Sequence, residues 1–240
     1  MSTLVDLLPQ QMPSSVANSR AVAWPEETSA KPEPWSVESF AGEQIHELVR
    51  QLFFSSAAPW RQVAFGAVDP ETEVRPICLQ VGEVLAQRVT GSVCVVEALS
   101  GRQSYGIVAE PGFTDSSHAK RFGALRDSSE QISGNLWFMS AGIFCGGSRD
   151  LSAVGLRARL AELRLEFDYT VLEGPIASHG DAAALGSLTD GLVLVLQANF
   201  TRRVTAQKAK DRLSSANARL LGTVLTGRTF PIPEALYKRL

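Results

Sequence analysis

This sequence contains few cysteines and no long apolar run. Its three cysteines, Cys78, Cys94 and Cys145, are widely spaced, and two of them lie in apolar stretches where a free thiol packs as a small hydrophobic group. This usage indicates a reducing, cytoplasmic compartment. No apolar run approaches the roughly 18 residues that a membrane-spanning helix needs, and no basic segment precedes the N-terminal leucines. We therefore expect membrane association only through a partner.

An excess of positive charge is also missing. The chain has 23 basic and 25 acidic residues, a formal net charge of −2, a pI near 6.0 and no long basic run. A protein that binds nucleic acid non-specifically carries a basic patch or stripe, so we expect no nucleic-acid partner. What the chain does have is 45% hydrophobic residues, and 8% of all its residues are aromatic. This composition is typical of a globular domain.

The composition divides the chain into a tail and a domain. Residues 1–40 carry five prolines among Ser, Glu and Ala, and such a segment buries too little apolar surface to offset the entropy lost on ordering. We predict a flexible Pro-rich N-terminal tail over 1–40 and an α/β domain over 41–240. From residue 39 onward apolar residues recur at three- and four-residue steps, which predicts a helix before the first strand.

Short β-branched runs then alternate with helical patterns. This alternation predicts βαβ units, and hence a mainly parallel central sheet with helices on both faces. The segment 100–133 is rich in Gly, Ser and charge and is predicted to be a long connection. The predicted strands are 61–68, 92–99, 135–142, 169–175, 191–199 and 218–225, and predicted helices lie between them, the first at about 76–88.

Several blocks resemble one family, the cytoplasmic ATPase domain of the bacterial tyrosine kinases of capsule and exopolysaccharide synthesis, which is related to MinD and ParA. The longest are LRLEFDYTVLEGP, which is similar to the family's Walker B strand, and the segment from GSLTDGLVLVLQANFTRR to the C-terminus, which is similar to its closing strand–helix–strand unit. Weaker matches are SVCVVEALSG, GFTD at 112–115 and GNLWFMSAG. The resemblance covers about residues 40–240 and implies a P-loop NTPase fold.

The same resemblance places the phosphate-binding loop at GAVDPETEVRP. A P-loop needs glycines whose backbone N–H groups wrap the phosphates, a lysine, and a Ser or Thr for magnesium. Here Glu71 and Glu73 stand at the glycines, Val74 at the lysine and Arg75 at the Ser/Thr, followed by Pro76. A carboxylate at that place repels a phosphate by about 1 to 4 kcal/mol at 4 Å. The sequence predicts weak or no ATP binding.

A shifted alignment does not restore the motif. No lysine occurs between Lys31 and Lys120, so no register of this strand–loop–helix supplies one. Pro76 suits the first turn of a helix, which predicts that the strand–turn–helix shape persists. Arg75 can be interpreted in two ways, as a solvated residue at a helix start or as a phosphate contact.

Carboxylates persist at two further positions of the family's site. Glu97 stands where the resemblance implies an Asp-x-Asp motif, and Glu173 where it implies the Walker B aspartate. A carboxylate at the end of a buried strand needs a partner or solvent, so residual metal binding and structural pairing both remain open. Thr226 falls where the family has the Asn that contacts adenine, which predicts an altered base site.

Other residues of the resemblance are less specific. Asp181 is similar to a family acidic residue, and His179 in the same loop is interpreted as an ordinary loop histidine rather than a catalytic one. Members of the family typically end in a tyrosine cluster that is the autophosphorylation substrate. This tail holds only Tyr237, which we interpret as a packing or surface residue.

Two helical segments are candidates for interactions. The family's ring-assembly motif Glu-x-x-Arg-x-x-Arg corresponds here to Gln44, Glu47 and Arg50, so only one position of three matches and we do not expect a ring. Arg202 and Arg203 match a Thr-Arg-Arg segment of the family. They are either an exposed basic helix face or a docking site for a partner.

The leading hypothesis is a catalytically degraded homologue that regulates or scaffolds exopolysaccharide or capsule assembly and export. The implied partner is the cytoplasmic part of a membrane polysaccharide copolymerase, a chain-length regulator; a homo-oligomer or pairing with an active paralogue remains open. One alternative is a divergent tyrosine autokinase that binds ATP and magnesium through Glu97, Glu173 and Arg75. A MinD/ParA-like positioning ATPase is the weaker alternative, because it needs ATP-driven dimers.

Overall fold

The computed structural model describes residues 37–55, 60–98, 125–146, 153–177 and 180–227, with side chains from residue 41 onward. Most of the predicted tail, the GFTD segment, His179 and Tyr237 lie outside these ranges. The first described helix begins at Val37, four residues before the predicted start of the domain at 41. Among the described helices, none combines the length and apolar character that crossing a bilayer requires.

A seven-stranded sheet forms the centre of the described domain. Its order is β3-β4-β2-β5-β1-β6-β7, and all neighbours are parallel except the antiparallel edge pair β3 and β4. The predicted fold class, a mainly parallel sheet, is thereby confirmed. The strands are β1 Gln62–Ala67, β2 Val93–Glu97, β3 Glu130–Ser133, β4 Leu136–Met139, β5 Tyr169–Glu173, β6 Gly191–Gln197 and β7 Leu220–Thr226.

Helices cover both faces of the sheet. The helix α1 continues directly into a π-helical turn, Arg50–Phe54, which the three- and four-residue spacing did not distinguish from an ordinary helix. The helices are α1 Val37–Val49, α2 Arg75–Arg88, α3 Leu125–Ser128, α4 Ala141–Phe144, α5 Ala153–Glu166, α6 Gly180–Leu188 and α7 Arg203–Ser215.

The strand pattern explains the two cores. Every residue of β1 is buried, because a central parallel strand is covered on both faces and therefore reads as a continuous apolar run. Val63 and Phe65 pack with α1 and α2, whereas Ala64 faces the opposite core, which α5, α6 and α7 cover. The sheet thus lies between two helical layers, and each layer buries one set of alternating strand residues.

A close approach fixes α2 on the sheet. A Cβ atom placed on Gly82, in the middle of α2, would collide with the side chain of Val95 on β2. Only a residue without a side chain allows this contact. Because α2 starts directly after the loop that follows β1, its position also fixes that loop at the carboxyl end of the sheet.

The segment predicted as a long connection contains structure that the sequence did not reveal. Its described part includes α3 and β3, and β3 is exposed at all four positions. A strand without buried residues has no apolar alternation to detect. Its partner is β4, to which it pairs as an antiparallel edge.

Candidate functional site

Three neighbouring strands end at the same place and bring acidic residues together. Glu97 is the last residue of β2 and Glu173 the last of β5, and the two are register partners in the sheet. Phe65 of β1 pairs with Glu173 from the other side. Ligands of open α/β sheets bind outside the carboxyl ends of the strands, so this edge is the candidate functional site.

Arg75, at the start of α2, lies between the two carboxylates. Its Nε donates to Oε2 of Glu173 at 2.9 Å, and its terminal NH2 group makes an ion pair with Glu97. The two glutamates are 15% and 20% exposed and Arg75 is 45% exposed, so solvent reaches the cation more than the anions. The hydrogen bond with Glu173, opposed by burial and supported by the charges of both glutamates, raises the pKa of Arg75.

Two further contacts hold this triad. The guanidinium carbon of Arg75 lies 5.9 Å from the ring centroid of Phe138 on β4, within the range of a cation–π contact. The backbone N–H of Ala141, at the start of α4, lies 3.4 Å from Oε2 of Glu97. The sequence placed Glu97 and Glu173 at strand ends, but it did not identify Arg75 as the group that joins them.

The loop between β1 and α2 turns its two glutamates outward. Glu71 and Glu73 are exposed, and Val74 is buried in the core under α2. The carbonyl of Val74 accepts hydrogen bonds from the N–H groups of Ile77 and Cys78, at 3.0 and 3.1 Å, so it closes the first turn of the helix. Pro76 lies in this first turn, as predicted, where its missing N–H costs nothing.

A neighbouring thiol is not available for chemistry. Cys78 lies one turn into α2 and is fully buried. Burial, and to a smaller extent the charge of Glu173, raises the pKa of the Cys78 thiol well above its usual range, although Arg75 opposes this. The thiol therefore stays protonated at neutral pH, whereas the thiolate is the nucleophile and metal ligand.

A second network joins this loop to the loop between β6 and α7. The Thr201 hydroxyl donates to the carboxylate of Asp69 and accepts from the backbone N–H of Gln197, the latter at 2.9 Å. The N–H of Ala198 donates to the carbonyl of Thr226 at 2.8 Å. Thr226 therefore lies at the same sheet edge as the triad. Asp69 and Thr201 were not predicted from the sequence, because the only signal for them was an aspartate just after a strand.

The other predicted residues lie on α6, at the start of α7, and on α1 with its π-helical turn. Asp181 is exposed in the first turn of α6, and Arg202 and Arg203 are exposed at the start of α7. On α1 and its π-helical turn, Glu47 accepts two hydrogen bonds from Arg50, at 2.6 and 2.8 Å. The hydrogen bond from Arg50 is the main cause that lowers the pKa of Glu47 to about 2.

Magnesium with ATP does not fit the residues at this edge. Magnesium requires oxygen ligands in open octahedral geometry, whereas the guanidinium of Arg75 already pairs with both carboxylates. In the loop that precedes α2, Glu71 is exposed and the side chain of Val74 is buried. In the described ranges, no group of three or more His, Cys, Asp or Glu residues is arranged to hold a metal ion.

Known tyrosine-protein kinases match part of the sequence. Tyrosine-protein kinase YwqD of Bacillus subtilis is 32% identical over 79 residues, which is 32% of this chain and 33% of that protein. Tyrosine-protein kinase CpsD of Streptococcus agalactiae is 38% identical over 60 residues, 25% of this chain and 26% of that protein. The matched segment thus spans a third or less of these relatives. No protein-family model matches the sequence.

Solved structures match over a much larger part of the chain. The kinase domain of the Escherichia coli tyrosine kinase ETK superposes with a TM-score of 0.59 at 15% identity, covering 80% of this chain and 79% of that one. A chain of the MinC:MinD cell division protein complex of Aquifex aeolicus gives 0.51 at 12% identity, with 69% of this chain and 67% of that chain covered. The chain therefore resembles bacterial tyrosine-protein kinases in part of its sequence, and it shares the P-loop NTPase fold of their kinase domains and of MinD.

Proposed function

We propose that this chain is a catalytically degraded relative of the bacterial tyrosine kinases of capsule and exopolysaccharide synthesis. In this proposal it regulates or scaffolds the assembly and export of the polysaccharide. Its partner is the cytoplasmic part of a membrane polysaccharide copolymerase, and its place is the cytoplasm, at the membrane through that partner. The fold and the partial sequence similarity to tyrosine kinases support the pathway.

The observation that carries the loss of catalysis is the ion pairing of Arg75 with Glu97 and Glu173. A metal-dependent phosphoryl transfer needs a divalent cation to neutralise charge between the β- and γ-phosphates. Here the chain's own cation neutralises the two carboxylates that would hold that metal. To admit magnesium, Arg75 must first leave two largely buried carboxylates, and breaking such a hydrogen-bonded charge pair is unfavourable by about 1.5 to 3 kcal/mol per hydrogen bond.

The phosphate side of the site supports the same conclusion. Exposed carboxylates at Glu71 and Glu73 repel a polyphosphate, and the side chain at the lysine position, Val74, is buried in the core. An anion-binding loop works through free backbone N–H groups and positive charge. Two glutamates give this loop a negative electrostatic potential, which disfavours a bound anion.

The nucleotide test is calorimetric titration of the full chain with Mg·ATP. The proposal expects no binding with a dissociation constant below about 1 mM, which corresponds to about −4.1 kcal/mol. A tyrosine-protein kinase such as YwqD, titrated under the same conditions, serves as the positive control. Micromolar binding that Glu173→Ala abolishes would contradict the proposal and favour the divergent autokinase.

A second experiment tests the scaffold role separately. Cytoplasmic segments of a polysaccharide copolymerase from the same genome, immobilised as peptides, should retain the purified chain. A matched column with the scrambled peptide is the control. Retention on neither column would contradict the proposed partner. This outcome is separate from the calorimetry, which tests only the loss of ATP binding.

A further inference from the structure

The helix α5 carries apolar residues on two opposite sides. Leu156, Leu160 and Leu163 are buried in the core on its inner side. On its outer side Val154 is 80% exposed and Leu165 is 87% exposed, which makes them the two most exposed large apolar residues that the structure describes. A helix with apolar residues all round is normally covered all round. The outer side of α5 is therefore a candidate interaction surface.

The outer residues form one continuous apolar stripe. This outer stripe consists of the exposed residues Val154, Ala158, Ala161 and Leu165. At about 100° per residue, the four lie within a sector of about 60° around the helix axis. No polar residue of α5 falls within that sector. Their steps of four, three and four residues are those of the a and d positions through which one helix packs on another.

The two flanks of the outer stripe carry opposite charges. Helical periodicity places Arg157 on one flank and Glu162 on the other. Arg157 is exposed, and no carboxylate that the structure describes lies at ion-pair distance from it. Oε2 of Glu162 accepts from Arg159 on the same helix at 2.7 Å. A carboxylate accepts more than one hydrogen bond, so Glu162 can also pair with a cation from outside.

We propose that the outer stripe of α5 packs against the same stripe of a second copy of this chain, with the two helices parallel. In parallel paired helices, the g position of one helix faces the following e position of the other. Arg157 and Glu162 occupy such a pair of positions, so Arg157 of each copy meets Glu162 of the other. A twofold axis repeats this contact on both flanks, and the surface is complementary to itself. Antiparallel helices would instead bring flanks of like charge together.

The charges of both signs select this occupant over an anionic one. An anionic bilayer, a nucleic acid or an acidic protein segment would attract Arg157 but repel Glu162. In the middle of the stripe, Ala158 and Ala161 let the two helix axes approach closely. A contact between two helices of 14 residues is smaller than the roughly 1,200 to 2,000 Å² of a stable interface, so the dimer is weak and depends on protein concentration. It uses no residue of the nucleotide site and goes beyond the proposed function.

The experiment is sedimentation equilibrium of the full chain, without nucleotide, at a series of rising protein concentrations. The average mass should increase from that of one chain, 25.9 kDa, toward twice that value. Leu165→Glu removes buried apolar area and brings two carboxylates together, so it should weaken dimerisation by about tenfold or more. The matched control is Val204→Glu on α7, at a valine that is 65% exposed, and it should leave dimerisation unchanged. Thermal denaturation of each variant verifies folding.

An exchange of charges tests the parallel arrangement. Arg157→Glu alone and Glu162→Arg alone each bring like charges together on both flanks and should weaken the dimer about fivefold. The double variant restores opposite charges and should recover it. Residues 157 and 162 lie on opposite flanks of their own helix, so this recovery arises only between copies.

A chain that stays monomeric at every concentration would overturn the proposal. So would equal losses from Leu165→Glu and Val204→Glu, or a double variant that dimerises no better than either single variant. Dimers that form only with Mg·ATP would also overturn it, because the outer stripe of α5 is exposed without nucleotide.

Discussion

At the residue scale, Arg75 is the group on which the candidate site depends. Glu97 and Glu173 are register partners at the ends of two neighbouring parallel strands. Two carboxylates held side by side repel each other unless a cation lies between them. Arg75 is that cation, and its planar guanidinium can donate to two carboxylates at once. A lysine would supply the charge but not this forked geometry.

Replacing Arg75 should therefore destabilise the fold. Arg75→Ala leaves two largely buried carboxylates without their cation, and we expect the free energy of unfolding to fall by about 1 to 3 kcal/mol. Urea denaturation at neutral pH measures the change. Arg88→Ala, at the other end of the same helix, is the matched control, and an exposed position of that kind should change stability by less than about 0.5 kcal/mol. Equal effects of the two substitutions would contradict the role given to Arg75.

A second residue, Asp190, holds the opposite end of the sheet. Its carboxylate accepts hydrogen bonds from the backbone N–H groups of Arg61 and Gln62, at 2.7 and 2.8 Å, and from Arg164 at 2.7 Å. Burial acts to raise the pKa of Asp190, but these hydrogen bonds outweigh it, and the pKa lies below its ordinary value. The charged form is therefore the one that the folded state favours.

This direction gives a pH-dependent prediction. A lowered pKa contributes stability that is present above the unfolded value, about 3.9, and is lost as the pH falls through the lower folded value. Asp190→Asn should reduce stability by about 1 to 3 kcal/mol at pH 7, and the difference should shrink below about pH 4. Urea denaturation over this pH range measures it, with Glu83→Gln, an exposed carboxylate on α2, as control. A difference that stays constant down to pH 2 would refute the assignment.

At the element scale, β1, its loop and α2 keep the shape of a phosphate-binding unit. The strand is buried throughout, α2 begins beside Pro76, and Gly82 lets α2 approach β2 closely. These features depend on packing beneath the loop, whereas phosphate binding depends on the loop's own residues. The frame can therefore persist after the chemistry is lost.

This separation predicts that loop substitutions can restore nucleotide binding. Combining Glu71→Gly, Glu73→Gly, Val74→Lys and Arg75→Ser supplies glycines, an amino group and a hydroxyl, and it releases both glutamates for magnesium. Val74 is buried, so the lysine must turn out of the core, and thermal denaturation first verifies that the variant folds. We expect measurable Mg·ATP binding by calorimetry where the unmodified chain has none. Glu71→Gly with Glu73→Gly alone retains Arg75 and should not bind. Failure of the folded four-residue variant to bind would show that the loop is not what prevents binding.

At the scale of the whole molecule, the acidic loop and the basic helix α7 lie at one end of the same sheet. The hydrogen bond between Thr201 and Asp69 joins them. This end of the domain thus presents the exposed carboxylates of Glu71 and Glu73 and the exposed guanidinium groups of Arg202 and Arg203. The proposed loss of nucleotide binding implies that nucleotide does not switch this chain between two assemblies.

We therefore expect Mg·ATP to leave the whole molecule unchanged. The elution volume on a sizing column should be the same with and without Mg·ATP, and so should the melting temperature. A ligand at 100 times its dissociation constant would stabilise by about 2.7 kcal/mol, which raises the melting temperature of a domain this size by about 5 to 10 °C. The kinase used as the calorimetric control should show such a rise. Nucleotide-dependent dimers of this chain would instead support the positioning ATPase.

Much of this fold followed from local sequence patterns. The six predicted strands all occur, with ends shifted by a few residues, because buried parallel strands read as continuous apolar runs. The strand β3 was missed because its four residues are exposed, and the π-helical turn because its spacing resembles that of an ordinary helix. The roles of Glu71, Glu73, Val74 and Thr226 in a lost nucleotide site stay predictions.

The sequence by itself determined the alternation of strands and helices, the absence of a lysine near the first strand, and the carboxylates at two strand ends. Only the tertiary structure decided what those carboxylates contact. Arg75 and Glu173 are 98 residues apart in the chain, and they meet because β5 lies between β1 and β2 in the sheet. Periodicity and composition are local properties, whereas strand order arises from how the crossovers pack. The pairing of Arg75 with both glutamates could therefore be read only from the folded molecule.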